Sequence, residues 1–234
     1  MPGHNRYNQI LPALTDHSMN TGLPEATFRP DKSITTEIAS VPQLVVLDTC
    51  VLISTVLKNL LLRLAQTGMF QPIWADYIGQ EWRRNAARIW DVADTQILQE
   101  WQQMQLAFPQ ANMGVVSEFE AGLFKSDVKD WHVIAAGRAA LSVYPERSAC
   151  VLTRNLRDFN RSELREHGLS LFSPDDFLIL CYEQNPELFM QFLALIPDDA
   201  VSIGKAAEPL ETVLRRERLF RLSNLVMQDA DTAA

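Results

Sequence analysis

The chain has 234 residues, 47% of them hydrophobic and 21% charged, with a formal net charge of −8. That is enough apolar material for a full core, and the acidity argues against a protein whose whole surface grips nucleic acid, though a local groove can still be basic. Cys50, Cys150 and Cys181 form no C-x-x-C pair, are odd in number and lie in apolar contexts, which fits reduced thiols in a cytoplasmic protein. No signal-peptide core follows Met1 and no apolar run reaches spanning length, so neither export nor membrane insertion is expected.

Residues 1 to 40 carry Pro2, Pro12, Pro24 and Pro30 without a sustained period and read as a flexible N-terminal extension. From Val41 the pattern becomes strand then helix. Gln43–Leu47 reads as a buried strand, Val51–Gln66 as a helix stopped by Gly68, and Gln71–Ala75 as a second strand. Helices are expected through Glu81 to Ile89, from Asp94 to Leu106, and from Asp127 to Ala140, with strands at Ala149–Thr153 and Leu169–Phe172. This alternation implies an α/β fold with a mainly parallel sheet. After Pro174 only helices are expected: Asp175–Tyr182, then Pro186–Leu195 and Pro209–Met227, whose prolines suit first-turn positions, and a frayed tail from Asp229. The expected organisation is therefore an extension over 1–40, a core domain over 41–177 and an all-helical C-terminal extension over 178–234. Arg215, Arg216, Arg218 and Arg221 interleave the apolar stripe of the last helix. They offer charge to an acidic partner segment or to phosphates.

Acids recur where strands end, and parallel sheets bind ligands at those ends. Asp48 follows Leu44-Val45-Val46-Leu47, and Asp158 follows Val151-Leu152-Thr153-Arg154-Asn155; each also suits a helix cap. Glu81 lies on a helix and reads equally as a solvated charge. Asp127 and Asp130 stand three apart at a helix start, where acids also favour the dipole. Gathered together, such carboxylates would repel unless a cation neutralised them, which suggests a hard-metal site. His132, two residues from Asp130, is expected to face elsewhere.

In order and spacing, Leu47-Asp48-Thr49, Glu81, Asp127-x-x-Asp130-Trp131-His132-Val133-Ile134-Ala135-Ala136 and Thr153-Arg154-Asn155-Leu156-Arg157-Asp158-Phe159 resemble the PIN-domain family over roughly Val41 to Phe177. Within it they are similar to the toxins of type II toxin–antitoxin pairs that carry Asp-x-x-Asp and a helical tail. The resemblance implies an α/β/α sandwich and a Mg²⁺- or Mn²⁺-dependent endoribonuclease. It implies that Asp48, Glu81, Asp130 and Asp158 are catalytic and, with Asp127, metal-binding, and that Thr153 and Asn155 contact substrate or hold a ligand. RNA as substrate, a cognate antitoxin and a homodimer are implied as partners. Cys50 stands where many relatives have Asn.

Carboxylate oxygens suit Mg²⁺ or Mn²⁺ without His or Cys. Other hydrolytic machinery is missing: there is no His-Glu-x-x-His, no Gly-x-Ser-x-Gly and no phosphate loop. A receiver domain would need a paired early acid and a late Lys, which do not occur. The alternative of another class is a non-catalytic PIN-like scaffold that works by binding protein or RNA.

Overall fold

The computed structural model describes residues 40–90, 92–202 and 208–233; the expected N-terminal extension lies outside the described residues except for Ser40. Residues 39–234 form one compact unit. Its four strands, β1 (Leu44–Leu47), β2 (Gln71–Ile73), β3 (Ala149–Leu152) and β4 (Leu169–Phe172), make a sheet of order β2-β1-β3-β4 in which every pair is parallel. β1 and β3 are buried at every position, as their unbroken apolar runs require of central strands covered on both faces. The chain goes from β1 to β2 on one side and later to β3 on the other. The loops after β1 and β3 therefore diverge, and the crevice between them is the switch point where open α/β sheets bind ligands.

Helices α1 (Thr49–Leu52) and α2 (Thr55–Gln66) replace the single helix expected from Val51. Ser54 splits it, because its hydroxyl accepts the Leu57 N–H and caps α2. Gly68, at φ +81°, ends α2 as expected. α3 (Asp76–Trp90) and α4 (Asp94–Ala107) follow β2, and α3 lies so close to α4 that a Cβ on Gly79 would overlap the Trp101 ring. This close contact fixes α3, which carries Glu81. α5 (Trp131–Val143) starts later than expected: Asp127 accepts the Lys129 N–H and caps a 3₁₀ turn over Val128–Asp130 instead. α6 (Arg161–Glu166) connects β3 to β4.

Among the described residues five helices make up the rest: α7 (Pro174–Gln184), α8 (Pro186–Leu193), α9 (Ile196–Ser202), α10 (Leu210–Arg216) and α11 (Phe220–Ala233), with a turn between the last two. The expected boundary at 177 falls inside α7, α11 packs on α7, and α8 and α9 pack on α2. α9 was not anticipated. The helix expected over Pro209–Met227 is two, separated at Arg218, whose φ of +61° no helix tolerates, and the tail expected to fray from Asp229 continues α11 to Ala233. Val213, Leu214, Leu219, Leu222 and Val226 are buried, so the apolar stripe is covered by the chain itself. Arg215 pairs with Glu211, Arg216 with Glu208 and Arg221 with Asp176; three of the four arginines thus spend their charge within the chain. Glu217 ties this end to the sheet, accepting hydrogen bonds from Ser54 Oγ (2.7 Å) and Arg154 Nη2 (2.5 Å). Among the described residues no helix is long and apolar enough to cross a membrane.

Candidate functional site

Asp48 and Thr153 leave β1 and β3 side by side, one step beyond the Leu47–Leu152 pair, with the Asp48 amide donating to the Leu152 carbonyl (3.2 Å). Both are buried. Asp48 occupies the N-cap position of α1 yet makes no capping bond, so the cap reading fails for it. Its Oδ2 accepts hydrogen bonds from Thr153 Oγ1 (2.6 Å) and Cys50 Sγ (3.0 Å), and its Oδ1 accepts none among the described residues. One oxygen is anchored and the other is left for a ligand. Burial, and then the Asp48 charge, push the Cys50 thiol up to about 12. It therefore stays protonated as a donor, and its sulfur accepts the Arg154 N–H (3.2 Å). Cys50 thereby supplies the positioning donor at this place.

Thr153 is fully buried. Its hydroxyl is bound to Asp48 and also accepts the Asn155 N–H (3.0 Å), so it holds the Asp48 carboxylate in place. Asn155 is exposed, and its side chain makes no capping bond.

Asp130 reaches the same crevice from the loop before α5. Its carboxyl is pushed up to about 6, first by partial burial and then by the charges of Asp48 and Asp158, with Asp127 adding less and His132 opposing. No hydrogen bond to the Asp130 or Asp158 carboxylate occurs among the described residues. Asp158 does not cap α6; Asn160 does, accepting the Ser162 and Glu163 amides. The Asp127 amide donates to the Asp158 carbonyl (2.8 Å), which joins the two acidic loops through backbone. Asp127 itself spends an oxygen on its 3₁₀ turn.

Glu81 stands on α3 to one side. Its Oε2 accepts from Thr49 Oγ1 (2.7 Å) and faces His132 Nε2 at 3.7 Å. His132 lowers the Glu81 carboxyl, burial works against it, and Thr49 lowers it further. His132 was expected to face elsewhere, and that expectation is corrected. The helical spacing did not apply because Asp130 precedes α5 and is not part of it. His132 is 7% exposed, packs edge-on against Tyr77 and leaves Nε2 without a hydrogen-bond partner.

A second missed residue is Glu163. It is buried, and its carboxylate takes the amides of Phe124 and Lys125 on Oε1 (2.7 and 2.8 Å) and of Ser126 on Oε2 (2.9 Å). Burial raises this carboxyl, but those bonds together outweigh it and hold it at about 2. The loop bearing Asp127 and Asp130 is thus fixed from α6. No spacing rule connects Glu163 to residues 37 to 39 positions earlier.

Among the described residues no three His, Cys, Asp or Glu side chains stand close enough to hold a metal ion between them. The open oxygens of Asp48, Asp130 and Asp158 are nevertheless all hard donors, and among the described residues no basic side chain hydrogen-bonds to them. Mg²⁺ commonly takes one or two carboxylates and completes its shell with water and phosphate, so the donor set fits it. No family model, curated protein or solved structure matches the chain.

Proposed function

We propose that the chain is a divalent-metal-dependent endoribonuclease of PIN type, with a PIN-like α/β/α sandwich, acting as the toxin of a type II toxin–antitoxin pair. The observation that supports the catalytic part is that the charges of Asp48 and Asp158 act on Asp130 and raise its carboxyl, while all three keep open carboxylate oxygens. Asp48 and Asp130 would hold Mg²⁺ or Mn²⁺. When bound, such an ion polarises a phosphodiester and lowers the pKa of water. Thr153 and Cys50 orient Asp48 so that a single oxygen faces the crevice. Glu81, held by Thr49 and facing His132, would bind the ion through water or orient the attacking water, and Asp158 would add negative charge that favours a cation. Exposed Asn155 is available to a substrate phosphate.

The toxin role, the antitoxin, the homodimer and the cytoplasmic setting follow from the sequence, chiefly from its resemblance. An adjacent reading frame encoding a small protein that binds this chain would support the pairing. The scaffold reading is favoured by one observation, the absence of a three-acid metal group among the described residues. Cleavage of single-stranded RNA with and without Mg²⁺, for the parent and Asp130→Asn, separates the two. Mg²⁺-dependent cleavage lost in Asp130→Asn supports the nuclease; no cleavage under any metal condition supports the scaffold.

A further inference from the structure

The loop from Phe124 to Asp130 holds two apolar side chains out in solvent beside the acids: Phe124 is 71% exposed and Val128 64%. Its backbone is firmly held. The amides of Phe124, Lys125 and Ser126 end on Glu163, the Asp127 amide on the Asp158 carbonyl, and the Asp130 amide on the Asp127 carbonyl. Trp131 Nε1 donates to the Ser126 carbonyl (3.0 Å), and Ser126 Oγ accepts the Asn160 N–H (2.9 Å). Exposed apolar residues scattered singly need no explanation. A ring on a loop fixed by a buried carboxylate is different, because folding has already met the ordering cost that a docking group would otherwise carry. Cations accompany it: Lys125 Nζ lies 5.4 Å from the Phe124 ring centroid while bonded to Glu166, and Lys129 makes no ion pair among the described residues.

We propose that Phe124, flanked by Val128 and Lys129, is a stacking platform for a base of single-stranded RNA next to the phosphate held at the acidic crevice. The inference rests on the ribonuclease reading above. An aromatic face accepts any base, and exposed ammonium groups suit the backbone between bases. Phe124 is three residues from Asp127, at most about 10 Å along the chain. The stacked base therefore neighbours the reacting phosphate. The same surface offers a protein helix only apolar area, which an aliphatic side chain would supply equally well.

The test is fluorescence anisotropy of a short labelled single-stranded RNA, titrated in EDTA with the full chain as parent, Phe124→Trp, Phe124→Leu and Phe124→Ala, alongside Mg²⁺-dependent cleavage and thermal melts. Loss of one stacked base weakens binding about tenfold. We expect that loss in the Leu and Ala variants, parental binding in Trp, and unchanged melting in all, since the ring is exposed. Equal RNA affinity in all four overturns the platform, as does a Leu variant that binds like the parent. If the parent cleaves RNA and Phe124→Ala both binds and cleaves like it, the platform alone fails. If the parent neither binds nor cleaves RNA, the ribonuclease reading fails and the platform with it.

Discussion

Glu163 holds one end of the Phe124–Asp130 loop from α6 and Asp130 stands at the other end, yet their surroundings move the two acids in opposite directions. Glu163 is the more buried, but three backbone amides reach it and its carboxyl falls to about 2. Asp130 is half-exposed, faces Asp48, Asp158 and Asp127 rather than donors, and rises to about 6. Burial acts against the charge in both, so the difference lies in what completes the shell. A carboxylate met by amides is finished as folded. One met by carboxylates is finished only by a cation.

The largest effect expected from breaking this contrast is on chemistry. Asp130→Asn and Asp48→Asn remove a charged ligand and should lower Mg²⁺-dependent RNA cleavage about a thousandfold, given the several kcal/mol that metal catalysis supplies. The fold should survive, and metal-free Asp130→Asn should melt no lower than the parent, because like-charge repulsion is relieved. Cleavage at the parental rate by purified Asp48→Asn would sink the site assignment.

Glu163→Gln tests the other side. A neutral amide cannot accept all three N–H groups without turning its own NH₂ toward one, and the loss should be about 3 kcal/mol in urea unfolding. The sign with pH follows from the depressed carboxyl. The Glu163 contribution is complete above its ordinary value of 4.5 and is lost as pH falls from there through about 2. The variant should lack that acid-induced loss; parental behaviour would show that the amides do not depend on the charge.

Asp130 should show the reverse slope in EDTA. Its folded value of about 6 lies above the ordinary 3.8, so the folded state binds the extra proton and stability falls as pH rises between those values. Solvent screening of a half-exposed group reduces the effect to about 1 kcal/mol. Comparison with Asp130→Asn isolates it, and an identical pH profile in the two proteins would remove it.

A smaller change is expected at Thr153. Among the described residues Thr153→Val leaves Asp48 with only the Cys50 thiol as side-chain donor, and if Asp48 is a metal ligand cleavage should fall about 10- to 100-fold, as when a residue that orients a ligand is removed. Retained activity would make the Thr153 bond incidental.

The sequence made some of this legible and hid the rest for identifiable reasons. The unbroken apolar runs at β1 and β3 announced buried parallel strands, so Asp48 and Asp158 could be placed beyond their ends before any geometry was known. Asp127 was legible as an acid of the loop but not as the cap of a 3₁₀ turn, because a turn of three residues leaves no period. Misplacing the start of α5 then misdirected His132, whose position follows from helical spacing only within a helix. Glu163 gave no sign at all. Its partners are backbone amides distant in sequence, and a backbone donor carries no residue identity. The break at Arg218 was hidden for a similar reason: a non-glycine residue at positive φ is held there by surroundings, and its sequence continues a helical pattern.

Asp48 and Asp130 are proposed to form an unfinished shell that a divalent cation completes. Electron paramagnetic resonance of Mn²⁺ binding tests it most directly, with the parent, Asp130→Asn and an exposed control, Glu118→Gln. The site predicts saturable Mn²⁺ binding to the parent and the control, weakened at least about tenfold in Asp130→Asn, the cost of losing one charged hydrogen-bonding group or more. Equal Mn²⁺ affinity in all three proteins would contradict it.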